Sequence, residues 1–329
     1  MPFSAVGLSR RNEAFARLRS CGFDWLIQRV RRLRKMAEIE IPSPAKINLY
    51  LAVTGRRKDG FHSLTSLVAP LEFGDRIAIR ARKGRSGIKL DSNYKSIPLD
   101  QSNLVWQAAS RFLDRFGIEA ELFVYIDKRI PVGAGLGGGS SNATSTLKGL
   151  SQLFGIDDEP GIRSLAESLG SDCALFLGNA PVIMRGRGEQ LESLKPEARR
   201  GLSGLRLALF KPSFGVSTVW AYKSLAAEPS LYVDPKKAEA QLGAWGRGES
   251  PLGSVLYNSF SAVASPKYPA IPLVLDRISA SMGTPCIMSG SGSCCFALAG
   301  DHEIERIRSI VAECWGKKAF FQATRIADI

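Results

Sequence analysis

Residues 39–54 alternate apolar Ile47, Leu49 and Leu51 with Lys46, Asn48 and Tyr50, the two-residue period of a β-strand, after an entry that contains proline. Strand signals recur at 76–82 and 122–126. Between them residues 104–116 read as a helix that Asn103 can cap. A glycine-rich stretch, 133–139, runs into Ser140, Ser141 and an Ala/Thr/Leu helix that ends near Phe154, and the segment 155–160 breaks it. Residues 191–204 look like a linker, and a strand at 205–210 opens a second half. Late in the chain, Ser289 to Ser293 reads as a glycine-serine turn between the strand residues Ile287 and Phe296. The cadence is not the regular βαβ repeat of a doubly wound sheet, so the pattern predicts an α+β fold of two domains, 36–190 and 191–329.

Residues 1–35 differ from the rest. Phe15, Leu18, Trp25, Leu26 and Leu33 fall on one helical face among arginines. An early start codon ahead of Met36, an organelle-targeting presequence and a basic amphipathic helix that touches membrane or RNA all fit this segment. It carries nine Lys/Arg against two Asp/Glu, so +7 of the chain's +13 belongs to it and +6 to the body. That mild excess suits an enzyme with anionic substrates, and neither nucleic acid nor membrane is expected as a partner of the body. No run of 18 apolar residues is present. The six cysteines form no C-x-x-C pair, only His62 and His302 are available beside them, and a reducing, cytoplasmic setting is expected. Cys294 and Cys295, adjacent on a strand, cannot face the same way and read as small buried residues.

The chemistry centres on Pro131, Val132, Gly133, Ala134, Gly135, Leu136, Gly137, Gly138, Gly139, Ser140 and Ser141. Bare backbone N–H groups and a helix N-terminus converge there, which is an anion cradle. Gly133, Gly135 and Gly138 also satisfy G-x-G-x-x-G. However, Asp157 and Asp158 follow in a loop instead of ending a second strand, which argues against dinucleotide binding. Gly139 stands where a Walker lysine would precede Ser140, so positive charge must come from elsewhere in the fold.

Three separated segments together resemble the GHMP kinases: Pro44 to Leu49, Pro131 to Ser141, and Met288 to Ser293. Within that superfamily, Thr54 to Leu64, Gly170 to Phe176 and Lys211 to Tyr222 resemble the diphosphocytidyl-methylerythritol kinases. Phe61 stands where tyrosine is commoner, Ser171 and Cys173 replace alanine and valine beside Asp172, and Ala134 interrupts the glycines. The resemblance implies a ribosomal S5 domain 2-like N-terminal domain and a ferredoxin-like C-terminal α/β sandwich. It also implies transfer of the ATP γ-phosphoryl group, with Mg²⁺, to the 2-hydroxyl of a methylerythritol linked to cytidine diphosphate.

On that reading Asp172 is the candidate base, and a buried Lys46 keeps it ionised and offsets the developing alkoxide. Asn48 orients the acceptor, His62 meets the cytosine edge, Phe61 and Tyr222 stack on the ring, and Thr218 touches the diphosphate. Asn103 and Lys128 are expected on the adenine side. Ser140 or Ser141 is the expected contact to Mg²⁺, whose other ligands no carboxylate cluster names. A related kinase for homoserine, mevalonate or a sugar, a silent nucleotide sensor and an RNA-binding protein are the rival readings.

Overall fold

The computed structural model describes residues 37–328, and every structural statement concerns those residues. The helical face expected within residues 1–35 lies outside them. Strand β1 (Ala37–Arg56) begins with alternating burial, but from Ala45 to Val53 every residue is buried. The sheet is covered on both faces there, so the alternation no longer separates inside from outside. Strand β2 (His62–Lys83) is far longer than the expected 76–82, because Leu64 to Leu71 form an unbroken buried run without period.

The first sheet has the order β3 (Gly87–Ser92), β4 (Ala120–Asp127), β2, β1, β8 (Tyr257–Asn258). A hairpin, β5 (Val182–Arg185) and β6 (Gln190–Ser193), hangs on β2. β3 and β4 are parallel, and helix α1 (Leu104–Phe116) makes the crossover that parallel strands require. Its buried residues, Val105, Ala108, Ala109 and Phe112, form one stripe, Asn103 accepts from the Val105 N–H, and left-handed Gly117 ends it. Helices α2 (Gly138–Phe154) and α3 (Glu159–Leu169) join α1 over Ile77, Ile79, Leu122 and Val124. Burying Phe112 there contributes about 1.5–3 kcal/mol.

The break after α2 is shorter than expected. Asp158 caps α3 by accepting from Gly161 N at 2.9 Å, so this acid closes a helix end and meets no ribose. The expected linker is also structured: it holds β6 and helix α4 (Pro196–Leu202), both too short and polar to show a period.

The second sheet runs β11 (Phe320–Arg325), β7 (Arg206–Lys211), β10 (Cys295–Leu298), β9 (Cys286–Met288), with every neighbour antiparallel. Between β7 and β9 lie α5 (Thr218–Ala227), α6 (Pro235–Gly246), α7 (Leu252–Val255), α8 (Phe260–Lys267) and α9 (Ala270–Met282). Helix α10 (Asp301–Trp315) joins β10 to β11. β7, α9, β9, β10, α10 and β11 form the ferredoxin-like β-α-β-β-α-β unit. Cys294 and Cys295 are both fully buried and join different apolar clusters, the two sides that strand geometry assigns to neighbours. Residues from 38 onward make one compact unit, with β8 lying parallel to β1 at Tyr50 and Leu51. That seam brings the glycine loop, the 289–293 turn and the loop after β7 together.

Candidate active site

These loops border a cleft of about 1150 Å³. Of the residues expected at the site, Lys46, Asn48, Phe61, His62, Asn103, Lys128, Asp172, Thr218, Tyr222 and the whole run from Pro131 to Ser140 line it. Ser141 does not. It is fully buried, and its hydroxyl accepts from Ser43 Oγ at 2.9 Å, because one helical step turns it away from Ser140 and into the fold.

The loop needs its glycines. Gly133, Gly135 and Gly137 have φ of +63°, +76° and +70°, a region that side chains disfavour. A Cβ at Gly135 would overlap the Ser289 carbonyl oxygen, and one at Gly137 would meet Phe176 Cζ at 2.9 Å and Lys46 Cγ at 3.0 Å. Lys46 N donates to Leu136 O at 3.0 Å and Cys294 N to Ala134 O at 3.2 Å, so the loop is pinned to both sheets. No side chain caps the N-terminus of α2. Its first N–H groups are therefore available to an anion in the cleft.

Lys46 Nζ donates to Asn48 Oδ1 at 2.6 Å and lies 3.8 Å from Asp172 Oδ2. Burial pushes the lysine pKa down, and the Asp172 charge opposes that only in part. Asn48 Nδ2 donates to Ser66 Oγ, which donates to Tyr50 O. The amide therefore holds Lys46 in place. Asp172 stands in the turn before a 3₁₀ segment (Ala174–Leu177), where Thr144 Oγ1 on α2 donates to the Cys173 carbonyl at 2.8 Å. Its side chain is 38% exposed, which leaves an oxygen open to the cleft.

On the far wall Lys128 forms an ion pair with Asp75, whose carboxylate also accepts from Arg129 N, Ile130 N and Asn142 Nδ2. Burial lowers the Lys128 pKa against that pairing. Asn103 caps α1 and donates to Pro98 O at 2.6 Å. Both residues thus border the cleft with polar groups already engaged in the fold.

At the other end His62 lies against Tyr222, centroids 4.9 Å apart, and Tyr222 meets Phe260 edge-on at 4.8 Å. Burial first and Arg56 second lower the His62 pKa, so the ring is neutral at pH 7, and its buried Nε2 has no protein partner. Burial, aided by Asp172, pushes the Tyr222 hydroxyl up to about 12. Phe61 is 53% exposed, with the Arg187 guanidinium 4.9 Å above its ring. Thr218 shares a 2.8 Å hydrogen bond with Ser291. Sequence reasoning missed Arg56, Arg187 and Lys223, all lining the cleft. Arg187 sits in the β5–β6 turn and Lys223 follows Tyr222 on α5, and no local pattern marks either.

Among the described residues no group of three or more His, Cys, Asp or Glu is placed to hold a metal ion. No described helix is long and apolar enough to cross a membrane.

An uncapped helix N-terminus facing a buried lysine and a partly exposed aspartate suits phosphoryl transfer to a small molecule, and the chain belongs to the GHMP kinases, whose N-terminal and C-terminal family patterns it matches in order. The family pattern described as GHMP kinases N terminal domain matches residues 103–186, and that described as GHMP kinases C terminal matches 243–317. The chain is 35% identical over 274 residues to 4-diphosphocytidyl-2-C-methyl-D-erythritol kinase of Moorella thermoacetica, covering 82% of this chain and 93% of that protein. Against the enzyme of the same name from Methylacidiphilum infernorum it is 39% identical, with 78% and 84% covered. A crystal structure of 4-(cytidine 5'-diphospho)-2C-methyl-D-erythritol kinase superposes with a TM-score of 0.69 at 33% identity, over 87% of this chain and 99% of that one. Homoserine kinase from Cytophaga hutchinsonii, at 17% identity and TM-score 0.66 over 89% and 96%, shares the fold.

Proposed function

We propose that the protein transfers the γ-phosphoryl group of ATP to the 2-hydroxyl of 4-diphosphocytidyl-2-C-methyl-D-erythritol, a step towards isoprenoid precursors, in the cytoplasm. The observation that carries this reading is the Lys46–Asp172 pair, set between an anion cradle on one side and an aromatic end built by His62 and Tyr222 on the other. Asp172 takes the proton of the acceptor hydroxyl as its oxygen attacks phosphorus, and the bond to the ADP oxygen breaks. The Lys46 ammonium and the N–H groups of the glycine loop meet the charge that develops.

The neutral His62 edge and the Phe61 and Tyr222 rings suit a cytosine, and Thr218 with Ser291 stands where a diphosphate would pass. This end of the cleft favours the cytidine-linked acceptor over homoserine, mevalonate or a sugar. Mg²⁺ fits as a companion of ATP: it keeps waters and phosphate oxygens as ligands, and Ser140 offers a hydroxyl in the cleft. The division into domains at 36–190 and 191–329 belongs to the same reading. Purified protein supplied with ATP, Mg²⁺ and a panel of cytidine-diphosphate polyols, homoserine and mevalonate tests it. Turnover of the cytidine-linked polyol alone supports the proposal, and preferred turnover of another acceptor refutes it.

A further inference from the structure

Lys211 is a buried cation with no part in the transfer described above. It ends β7 at 7% exposure, paired with Phe320 of β11, and its Nζ donates to the carbonyl oxygens of Pro212 at 3.0 Å and Phe214 at 2.8 Å. Burial lowers its pKa, and the one ionisable group acting against that is Cys294. Burial pushes the Cys294 thiol up to about 12, so it carries no charge near neutrality. Among the described residues the ammonium is therefore compensated by carbonyl dipoles instead of a carboxylate. Such an arrangement is costly to build, and an apolar residue at the end of a strand would avoid it.

What the two bonds hold explains why a lysine stands here. The Phe214 carbonyl also accepts from Ser293 Oγ at 2.6 Å, so one oxygen joins β7 to the 289–293 turn. The Phe214 ring is stacked on Tyr268, centroids 5.3 Å apart and 15° between planes. The next residue, Gly215, lies against the glycine loop, where a Cβ would make ordinary contact with Gly133 O at 3.4 Å. Ser217 then caps α5 by accepting from Trp220 N at 3.3 Å, and α5 carries Thr218 and Tyr222 into the cleft. Residues 212–217 are thus the strut between the second sheet and the acceptor end.

We infer that Lys211 is a positioning residue for the acceptor: its hold on the Pro212 and Phe214 carbonyls sets where α5 places Thr218 and Tyr222 relative to the glycine loop. This rests on the proposed reaction only in using its acceptor as the probe. Without the ammonium, the strut keeps its contacts to Tyr268 and Ser293 and its covalent continuity with β7, but loses the two hydrogen bonds that fix its turn at the strand end. The acceptor end shifts while the ATP end, pinned through Ala134 and Leu136, stays.

Steady-state kinetics of the full chain with ATP and the cytidine-diphosphate methylerythritol tests this. In Lys211→Met the acceptor KM rises about tenfold, the effect of losing hydrogen bonds from a charged donor, while the ATP KM and the saturating kcat stay within about twofold. Lys211→Arg, which keeps a cationic donor, recovers most of the loss. Unchanged acceptor KM in folded Lys211→Met, or ATP and acceptor KM rising in step, overturns the inference. Should Lys211→Met fail to fold, Lys211→Gln, which removes the ammonium but keeps a polar side chain, carries the same expectation in smaller measure. An unchanged acceptor KM in folded Lys211→Gln then overturns the inference. A wild-type protein that does not turn over this acceptor counts against the proposed reaction, and direct binding of the acceptor to the same variants then decides the role of Lys211.

Discussion

Lys46 Nζ lies 3.8 Å from Asp172 Oδ2 and 2.6 Å from Asn48 Oδ1, so one buried ammonium is shared between a charged group at the cleft surface and a neutral amide beneath it. Asp172→Asn keeps the shape of the acid but cannot take a proton. Turnover is expected to fall by roughly 10²- to 10⁴-fold, the usual worth of a positioned base. Acceptor affinity is expected to change little. Lys46→Met acts on the same step, and the double variant is expected to lose much less than the product of the single losses, because the residues work as a unit. Single-turnover kinetics on folded protein checks this, and multiplicative losses contradict it.

The same lysine predicts a pH dependence of stability. Burial sets its folded pKa below the ordinary lysine value of 10.5. Between that folded value and 10.5 the unfolded chain binds the proton more tightly, so stability rises with pH across the interval, and below it the buried charge is a constant penalty. Denaturant titrations at a series of alkaline pH values are expected to show wild type gaining on Lys46→Met as pH climbs towards 10.5. A difference that stays flat with pH contradicts this.

Gly135→Ala is expected to lower Tm and weaken ATP binding, because φ is +76° and the new Cβ overlaps the Ser289 carbonyl. Holding such a residue in the left-handed region alone costs about 1–3 kcal/mol. Gly139→Ala, in the first turn of α2 with its nearest neighbour Leu104 Cδ1 at 3.8 Å, is expected to leave Tm unchanged or raised. Equal losses in the two variants contradict the interlocked loop.

Much of this could be read from sequence where the signal is local. Asn103 and Gly117 frame α1 by cap chemistry, and the glycines mark the cradle without help from distant residues. Where burial comes from both sides, the signal vanishes: Leu64 to Leu71 of β2 shows no period, so that stretch carries no strand signal of its own. Ser141 departs from its expected place for a different reason. Adjacent serines look equivalent in a motif, yet a helix separates their directions by about 100°. Lys128 keeps its cleft position, but Asp75, 53 residues earlier in the chain, takes its charge, and only the fold brings the two together.

Phe61 and Tyr222 are expected to separate in their effects. Phe61 is half exposed, so Phe61→Ala raises the acceptor KM several-fold, about 1 kcal/mol of lost stacking, with Tm unchanged. Tyr222 packs on both His62 and Phe260, so Tyr222→Ala raises the acceptor KM and also lowers Tm. Thermal melts alongside acceptor titrations check both. A fall in ATP affinity with the acceptor KM unchanged would place the aromatic end at the wrong substrate.

The cleft is proposed to direct one phosphoryl group to one hydroxyl of the cytidine-linked polyol. Phosphorus NMR of the products formed from ATP, Mg²⁺ and 4-diphosphocytidyl-2-C-methyl-D-erythritol tests it most directly. The expected result is one new monoester resonance, assigned to the 2-hydroxyl by its coupling, growing in step with ADP and forming at least about 100-fold more slowly with Asp172→Asn. ADP accumulating without a new ester, or an ester formed only on homoserine, mevalonate or a sugar, contradicts the account.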